Sequence, residues 1–239
     1  MNKIVAIQAD PIQKINPKTD TTLLLALEAQ KRKYKIYWFE QKDISFINSK
    51  LFANVKELKL FNSEKKYFKI IRKKNFNLSN SKLILIRQDP PFNIDYINST
   101  LLLDTIKKRV KIINNPGSVR NISEKLFSIK FMNLMPPTIF TKNFNEVINF
   151  YQKHKKIVLK PVNGYAGKNI YFINKKLNQN ALRNYLRKTG FVMVQKFLPL
   201  VKYGDKRIFI INGKVCGAIS RVPKKGSILS NMSKGAKPT

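Results

Sequence analysis

One uninterrupted apolar strand, Lys82–Arg87 (KLILIR), most constrains what this chain can fold into. A strand without polar alternation is typical of a parallel sheet that is covered on both faces. Further strand patterns lie at Lys3–Ala9, Lys35–Glu40 and Val110–Asn114, and helix patterns lie between them at 21–33 and Asp95–Lys108. This alternation of strand and helix predicts a doubly wound parallel α/β sheet in the first half of the chain.

Two stretches of the first half are less regular. Asn48–Asn62 is ambiguous between strand and helix periods and is compatible with a hairpin, whereas Glu64–Lys74 is predicted to be a helix. A further helix is predicted over Ser118–Phe131, before Pro136 and Pro137 interrupt the chain.

The order of strand and helix patterns changes in the second half. This order predicts an α+β arrangement with an antiparallel sheet. Strands are predicted at Ile157–Lys160, Ile170–Asn174, Phe191–Lys196, Lys206–Ile211 and Lys214–Ser220, with a helix at Leu177–Lys188. Asn212–Gly213 is a strong hairpin signal. We therefore expect one domain over 1–117 and a second over 118–239, ending in a mobile loop over 222–239.

The charge balance admits two explanations. The formal net charge is +34, from 47 basic and 13 acidic residues, which fits a binder of polyanions such as nucleic acid. However, the lysines are spread along the whole chain, and an AT-rich genome would also produce such a lysine-rich composition. No zinc-finger or RNA-recognition motif is present. We therefore expect no nucleic-acid partner. No apolar run is long enough for a membrane span, and the single cysteine, Cys216, fits a reducing cytoplasm. We expect Cys216 to lie in the core and His154 at the surface.

The segment Ile157–Gly167 carries the clearest chemistry. A buried strand delivers Lys160, and a loop containing Asn163, Gly164 and Gly167 follows. Glycines let backbone N–H groups approach an anion, and a lysine on a strand supplies a point charge for phosphate. The alternative is an ordinary Lys-Pro turn. Lys125, taken alone, fits a solvated helix lysine.

Two other segments place polar groups at strand ends. The end of the strand at Gln195 can read an adenine edge through its backbone, Asp205 can accept from ribose hydroxyls, and Arg207 can brace a phosphate. Arg87 is the last residue of KLILIR and lies at the end of a parallel strand, where ligands of such sheets bind. The loop from Asp10 lies at a similar position.

Taken together, five motifs resemble those of bacterial glutathione synthetases: DPI…INPKTDTT…LEAQ, LIRQDPPF, NPGSVRNISEKLF, LKPVNGYAG and YGDKRIFIINGKV. The resemblance runs along the whole chain. It implies a doubly wound N-terminal domain followed by an ATP-grasp domain, which would be incomplete here. It also implies the joining of γ-glutamylcysteine to glycine with ATP and Mg²⁺, through an acyl phosphate. Another ATP-grasp carboxylate–amine ligase is the alternative.

The resemblance also implies a role for each matching residue. The ATP site would comprise Lys125, Lys160, Asn163, Gly164, Gly167, Gln195, Lys196, Phe197, Leu198 and Asp205. Arg207 and Arg221 would support the transferred phosphate and the acyl phosphate. The substrate contacts would be Asp10, Lys18, Asp20, Thr21, Arg87 and Asn231. Members of the family form homo-oligomers, so we expect the same of the full-length form.

Three departures from the family pattern stand out. Ala166 replaces a loop glycine, and Ile228–Leu229 stand where relatives often carry an arginine. After Lys160 the sequence holds a single acidic residue, Asp205, whereas a Mg²⁺–nucleotide site needs one or two carboxylates against the phosphates. We therefore expect no metal ligands in this chain, metal ligands beyond residue 239, and no activity of this chain alone.

Overall fold

The computed structural model describes residues 3–174, 176–224, 226–227, 230 and 235–238. The chain divides into two compact units, Met1–Ser123 (unit 1) and Glu124–Thr239 (unit 2). Within the described residues, no helix is both long enough and apolar enough to cross a membrane.

Unit 1 is built around a seven-stranded sheet. Its strands are β1 (Ile4–Gln8), β2 (Lys35–Phe39), β3 (Ile44–Ile47), β4 (Lys50–Leu60), β5 (Phe68–Asn77), β6 (Leu83–Ile86) and β7 (Lys111–Ile113). The order is β3-β4-β2-β1-β6-β7, with β5 paired to β4. Strands β2, β1, β6 and β7 are parallel, and β3, β4 and β5 extend the sheet with antiparallel pairs. All five residues of β1 are buried, as expected for a central strand with both faces covered.

Three helices complete unit 1: α1 (Thr21–Lys31), α2 (Ile94–Asp104) and α3 (Pro116–Asn121). Each begins at a side chain that accepts a hydrogen bond from a free backbone N–H of the first turn: Asp20, Asn93 and Asn115. Alternate residues of β1 enter two cores. Val5 and Ile7 pack with Leu23 of α1, whereas Ile4 and Ala6 pack with Leu103 of α2.

The helix predicted over Glu64–Lys74 is wrong, because β5 occupies most of that segment. It pairs with β4 along nearly its whole length, from Phe52↔Asn77 to Leu60↔Phe68. The ladder hydrogen bonds of this long hairpin outweigh the local helical preference of the lysine-rich segment.

Unit 2 contains a four-stranded antiparallel sheet in the order β10-β9-β11-β8. These strands are β8 (Thr138–Thr141), β9 (Ile157–Pro161), β10 (Tyr171–Ile173) and β11 (Val192–Lys196). Helices α4 (Phe144–His154) and α5 (Gln179–Thr189) cover one face, where Val147 and Leu182 pack on Ile157, Leu159 and Val194.

A second sheet of unit 2 consists of β12 (Asp205–Ile211), β13 (Lys214–Val222) and β14 (Lys237–Pro238). Asn212 and Gly213 form the turn between β12 and β13, both with positive φ, at 50° and 77°. This is the backbone that a tight hairpin turn requires, and it explains the Asn-Gly pair.

Several expectations for unit 2 change. The predicted helix over Ser118–Phe131 is wrong as one element, because α3 ends at Asn121 and a separate 3-10 stretch runs over Leu126–Leu134, kinked at Phe131. The structure adds β8 and α4, which the sequence patterns did not predict. Cys216 is exposed on β13, so its predicted core position is wrong. His154 is the last residue of α4 and is partly exposed, in keeping with the surface position expected for it.

Candidate functional site

The four-stranded sheet of unit 2 carries a polar group of side chains on the face away from its helices. Leu159 and Val194 point into the helix-covered core. Because side chains alternate along a strand, Lys160 and Gln195 point to the opposite face. The sequence therefore places one face of this sheet in the core and frees the other for ligand contact.

A cavity of about 340 Å³ opens beside these residues. Its lining comprises Pro136, Val158, Lys160, Ile170, Gln195, Lys196, Phe197, Leu198, Leu200, Val201, Gly204 and Asp205. The walls are largely apolar, and their charged groups are Lys160, Lys196 and Asp205. Apolar walls with a few convergent polar groups are typical of sites for small organic ligands.

Two lysines belong to this site. Lys160 donates to Gln195 Oε1 at 2.6 Å, and Lys125 donates to the carbonyl oxygen of Gly164 at 2.5 Å. The side chain of Lys125 is only 12% exposed, which contradicts the solvated lysine that its local sequence suggests. Burial lowers the pKa of Lys160, and the neighbouring charge of Lys125 lowers it further. Two partly desolvated ammonium groups near each other provide a strong attraction for phosphate.

The loop that follows β9 has left-handed backbone at two successive residues. Ala166 has φ of 50° and Gly167 has φ of 70°. The N–H of Gly164 donates to Pro161 O at 3.0 Å, which closes the turn out of the strand. The structure thus places Lys125, Lys160 and Gly164 together, and Ala166 adopts the conformation that a glycine would adopt without a steric cost.

Asp205 and Arg221 face each other across β12 and β13. The guanidinium donates through Nε and Nη2 to the two carboxylate oxygens, at 2.7 and 2.6 Å. This bidentate contact raises the pKa of Arg221. Arg207 lies two residues along β12 and therefore on the same face as Asp205. The three residues share one face, with both oxygens of Asp205 engaged by Arg221.

Unit 1 has its own cavity, of about 520 Å³, at the carboxyl ends of β1 and β6 on the α1 side of the sheet. Asp10, Asp20, Thr21 and Arg87 line it. Arg87 donates to Thr22 Oγ1 at 3.0 Å and to Thr21 Oγ1 at 2.7 Å, which fixes the guanidinium beside the start of α1.

Two further residues shape this cavity. Asp89 donates its N–H to Asp10 Oδ2 at 2.8 Å, and Trp38 donates its ring N–H to Asp10 O at 2.9 Å. Burial raises the pKa of Asp89, and the charges of Asp10 and Asp20 raise it further. Lys18 does not line this cavity and instead pairs with Glu64 at 2.9 Å.

Other predicted positions are placed as follows. Lys196, Phe197 and Leu198 line the unit 2 cavity, whereas Asn163 follows β9 in the loop without contributing to that lining. Asn231, Ile228 and Leu229 lie outside the described residues. Among the described residues, no group of three or more His, Cys, Asp and Glu side chains could hold a metal ion.

The sequence pattern did not predict Thr138, whose hydroxyl accepts a hydrogen bond from Gln195 Nε2 at 2.9 Å. No local motif marks it, because the contact depends on the pairing of β8 with β11. It also missed a second polar cavity in unit 1, of about 560 Å³ on the α2 side, lined by Glu40, Gln41, Gln88, Asp95, Asn98 and Ser99 among others.

Comparison with known proteins gives two family matches. Residues 4–120 match the model of the prokaryotic glutathione synthetase N-terminal domain, and residues 124–239 match that of the prokaryotic glutathione synthetase ATP-grasp domain. The glutathione synthetase of Rhodopseudomonas palustris is 38% identical over 97% of this chain and 75% of its own length. That of Buchnera aphidicola subsp. Schizaphis graminum is 35% identical over 98% of this chain and 75% of its own length.

Solved structures show the same fold. D-alanyl-alanine synthetase A from Vibrio cholerae aligns over 100% of this chain and 74% of its own, with a TM-score of 0.61 at 10% identity. The D-cycloserine synthetase DcsG aligns over 92% of this chain and 68% of its own, with a TM-score of 0.60 at 14% identity. The two-domain fold class expected from the sequence is thereby confirmed.

Proposed function

Because the chain belongs to the prokaryotic glutathione synthetase family, we propose that the unit 2 cavity binds ATP and that the α1-side cavity of unit 1 binds γ-glutamylcysteine. The activity that this membership carries is ATP-dependent ligation in glutathione biosynthesis. The assignment of individual residues rests on the lining of the two cavities and, for residues outside that lining, on their contacts or on the resemblance.

The observation that carries the nucleotide site is the pairing of a largely apolar cavity with two half-buried lysines. Lys160 lines the cavity, and Lys125 is joined to the following loop at Gly164. In this assignment the two ammonium groups bind the phosphates, and the loop from Asn163 to Gly167 closes over them. The adenine lies against Gln195, Lys196, Phe197 and Leu198, while Asp205 accepts from the ribose.

The dipeptide assignment follows from the charges at the strand ends of unit 1. Arg87 is held by Thr21 and Thr22 and is suited to a carboxylate. Asp10 and Asp20 line the same cavity and are suited to the ammonium group of the γ-glutamyl moiety. Lys18 is assigned a contact at the rim, which requires it to leave Glu64. Asn231 is assigned to the substrate by the resemblance alone.

The reaction requires two transfers. The cysteinyl carboxylate attacks the γ-phosphorus of ATP and releases ADP. The glycine amine then attacks the acyl carbon, loses a proton and releases phosphate. Both steps develop negative charge on phosphoryl or carbonyl oxygens, which cationic donors stabilise. Arg207 and Arg221 are assigned this role, and Arg221 must release Asp205 to reach the phosphate.

ATP-grasp ligases use ATP with a divalent metal ion, which neutralises phosphate charge when bound, and we propose Mg²⁺ as that ion. The described residues do not fit a metal site. We further propose that the protein works in the cytoplasm on small-molecule substrates, as a homo-oligomer and without a nucleic-acid partner. Another ATP-grasp ligase activity is the second candidate, and the identity of the dipeptide separates the two.

Binding measurements test the assignment with a matched pair of variants. Lys160→Met removes a charge at the cavity, and Lys188→Met removes the same charge from the exposed surface of α5, on the opposite side of the sheet. Loss of a hydrogen bond to a charged group weakens binding by about 10- to 100-fold. By calorimetry we expect that loss of ATP affinity for Lys160→Met and less than a twofold change for Lys188→Met. Equal affinities in both variants would refute the site.

The substrate side is tested separately. γ-Glutamylcysteine should perturb the amide resonances of Thr21, Thr22 and Arg87 in the NMR spectrum of the chain, whereas glutamylglutamate should not. The reverse selectivity would favour the alternative ligase.

A further inference from the structure

A continuous row of hydrogen bonds crosses the four-stranded sheet of unit 2 and ends at Lys160. Thr138 on β8 lies directly opposite Gln195 on β11. The Thr138 hydroxyl donates to Pro136 O at 2.6 Å and accepts from Gln195 Nε2 at 2.9 Å. Gln195 Oε1 then accepts from Lys160 Nζ at 2.6 Å.

Each hydrogen bond in this row fixes the direction of the next. Because the Thr138 proton is committed to Pro136 O, the hydroxyl oxygen acts as an acceptor toward Gln195. Gln195 must therefore turn its NH₂ group toward Thr138 and its oxygen toward Lys160. A flipped amide would put its NH₂ donors against the Lys160 ammonium group and its oxygen against a hydroxyl whose proton is already committed to Pro136 O. The row leaves one favourable orientation.

The surroundings make this orientation important. Thr138 and Gln195 are each 8% exposed, so solvent does not readily replace a lost partner. Lys160 lies between the buried Leu159 and Pro161 on β9, with the like charge of Lys125 nearby. A neutral amide oxygen holds the ammonium group without cancelling its charge, whereas a carboxylate at the same position would compete with an incoming anion.

We propose that Thr138 is a positioning residue for nucleotide binding, which acts through the Gln195 amide to hold the Lys160 ammonium group at the phosphate end of the unit 2 cavity. The proposal rests on the ATP site proposed above and adds a residue that does not itself line the cavity. Its action should be greater on the phosphates than on the base, because the group at the end of the row is a cation and Gln195 keeps its place in the cavity wall beside the adenine.

The test compares ADP binding by calorimetry in the native chain, Thr138→Val and Thr138→Ser. Valine keeps the branched shape and removes the hydroxyl, whereas serine restores the hydroxyl. Since hydrogen bonds to charged groups are among the stronger ones, we expect ADP to bind about tenfold more weakly to Thr138→Val and within twofold of native to Thr138→Ser. Adenosine, followed by NMR at millimolar concentration, should bind all three chains within twofold, because it lacks the phosphates.

Three results would overturn the proposal. Thr138→Val could bind ADP as the native chain does. It could lose ADP and adenosine equally, in which case Thr138 shapes the base pocket. Thr138→Ser could also fail to restore ADP affinity in a folded protein. If Thr138→Val does not fold, Thr138→Ala removes the hydroxyl without a branched side chain, and the same outcomes apply to it. A native chain that does not bind ADP refutes the nucleotide site itself, which is a distinguishable result.

Discussion

Gly204 should be far less tolerant of alanine than other glycines of the same hairpin. It precedes β12 with φ of 102° and ψ of −175°, a region that is essentially restricted to glycine. A Cβ atom there would lie 2.5 Å from the backbone oxygen of Arg221 and 3.1 Å from its carbonyl carbon. Since both neighbours are backbone atoms, Gly204→Ala must shift β13 just where Arg221 pairs with Asp205.

Two other glycines, one in the turn before β13 and one within β13, separate the effect of the left-handed backbone from the effect of close backbone atoms. Gly213 also has positive φ, of 77°, but nothing lies within 4 Å of its Cβ position, whereas Gly217 has open space and no positive φ. Gly217→Ala should be neutral or stabilising by about 0.5 kcal/mol. Gly213→Ala should cost about 1 kcal/mol for the left-handed backbone. Gly204→Ala adds overpacking against backbone and should cost about 2–5 kcal/mol.

Amide hydrogen exchange over residues 205–222, read by mass spectrometry, suits this comparison because a hairpin can open without global unfolding. Protection should fall least for Gly217→Ala, moderately for Gly213→Ala and most for Gly204→Ala. If Gly204→Ala protects the hairpin as well as Gly213→Ala does, the close approach of Arg221 is not a constraint and the reasoning fails.

Two further outcomes follow from the same unit. Ala166→Gly should leave the stability of unit 2 unchanged within about 1 kcal/mol, because relief of the left-handed cost offsets the entropy that glycine gains on unfolding. Exchange of the Tyr165–Lys168 amides should nevertheless accelerate, and unaltered exchange would contradict that explanation. The second outcome concerns pH. Burial lowers the pKa of Lys160, so between the lowered and the ordinary lysine pKa the unfolded chain binds more protons, and stability rises with pH. Urea unfolding between pH 7 and 10 should show this rise in the native chain relative to Lys160→Met. Parallel pH profiles of the two chains would count against it.

The sequence predicted those parts of the fold in which local signals and tertiary pairing agree. The apolar segment around Leu85 became a central parallel strand, and Asp20 caps α1 as expected. In contrast, β5 forms because it pairs with β4, and most of the paired residues are more than 10 positions apart in the sequence. Its lysine-rich local sequence alone favours a helix. α3 begins at Pro116 and ends at Asn121, so Lys125 lies outside the helix that the sequence predicted around it.

The candidate site likewise has residues that local sequence signals mark and residues that only tertiary contacts bring in. Lys160 and the glycine loop could be proposed from the residues themselves, because a lysine on a strand followed by loop glycines suits an anion, and their role stays a prediction. The burial of the Lys125 side chain could not be predicted from the sequence, because its hydrogen-bond acceptor, Gly164, lies 39 residues away. Thr138 was missed for the same reason, since its partner is 57 residues away. The engagement of Asp205 by Arg221 likewise depends on cross-strand register, which no single segment encodes.

The β12–β13 hairpin also affects the tendency of the protein to associate with other copies of itself. Ile208, Ile210, Ile211 and Val215 are each more than half exposed, and β12 is the outer strand of its sheet in the described part of the chain. An apolar outer strand is a template for pairing between molecules. Mutual repulsion from a net charge of +34 opposes that pairing at low ionic strength. At 0.1 M salt the screening length falls to about 10 Å, comparable to the spacing of stacked sheets. We therefore expect electrostatic repulsion to keep copies of this protein apart in solution and added salt to weaken that effect.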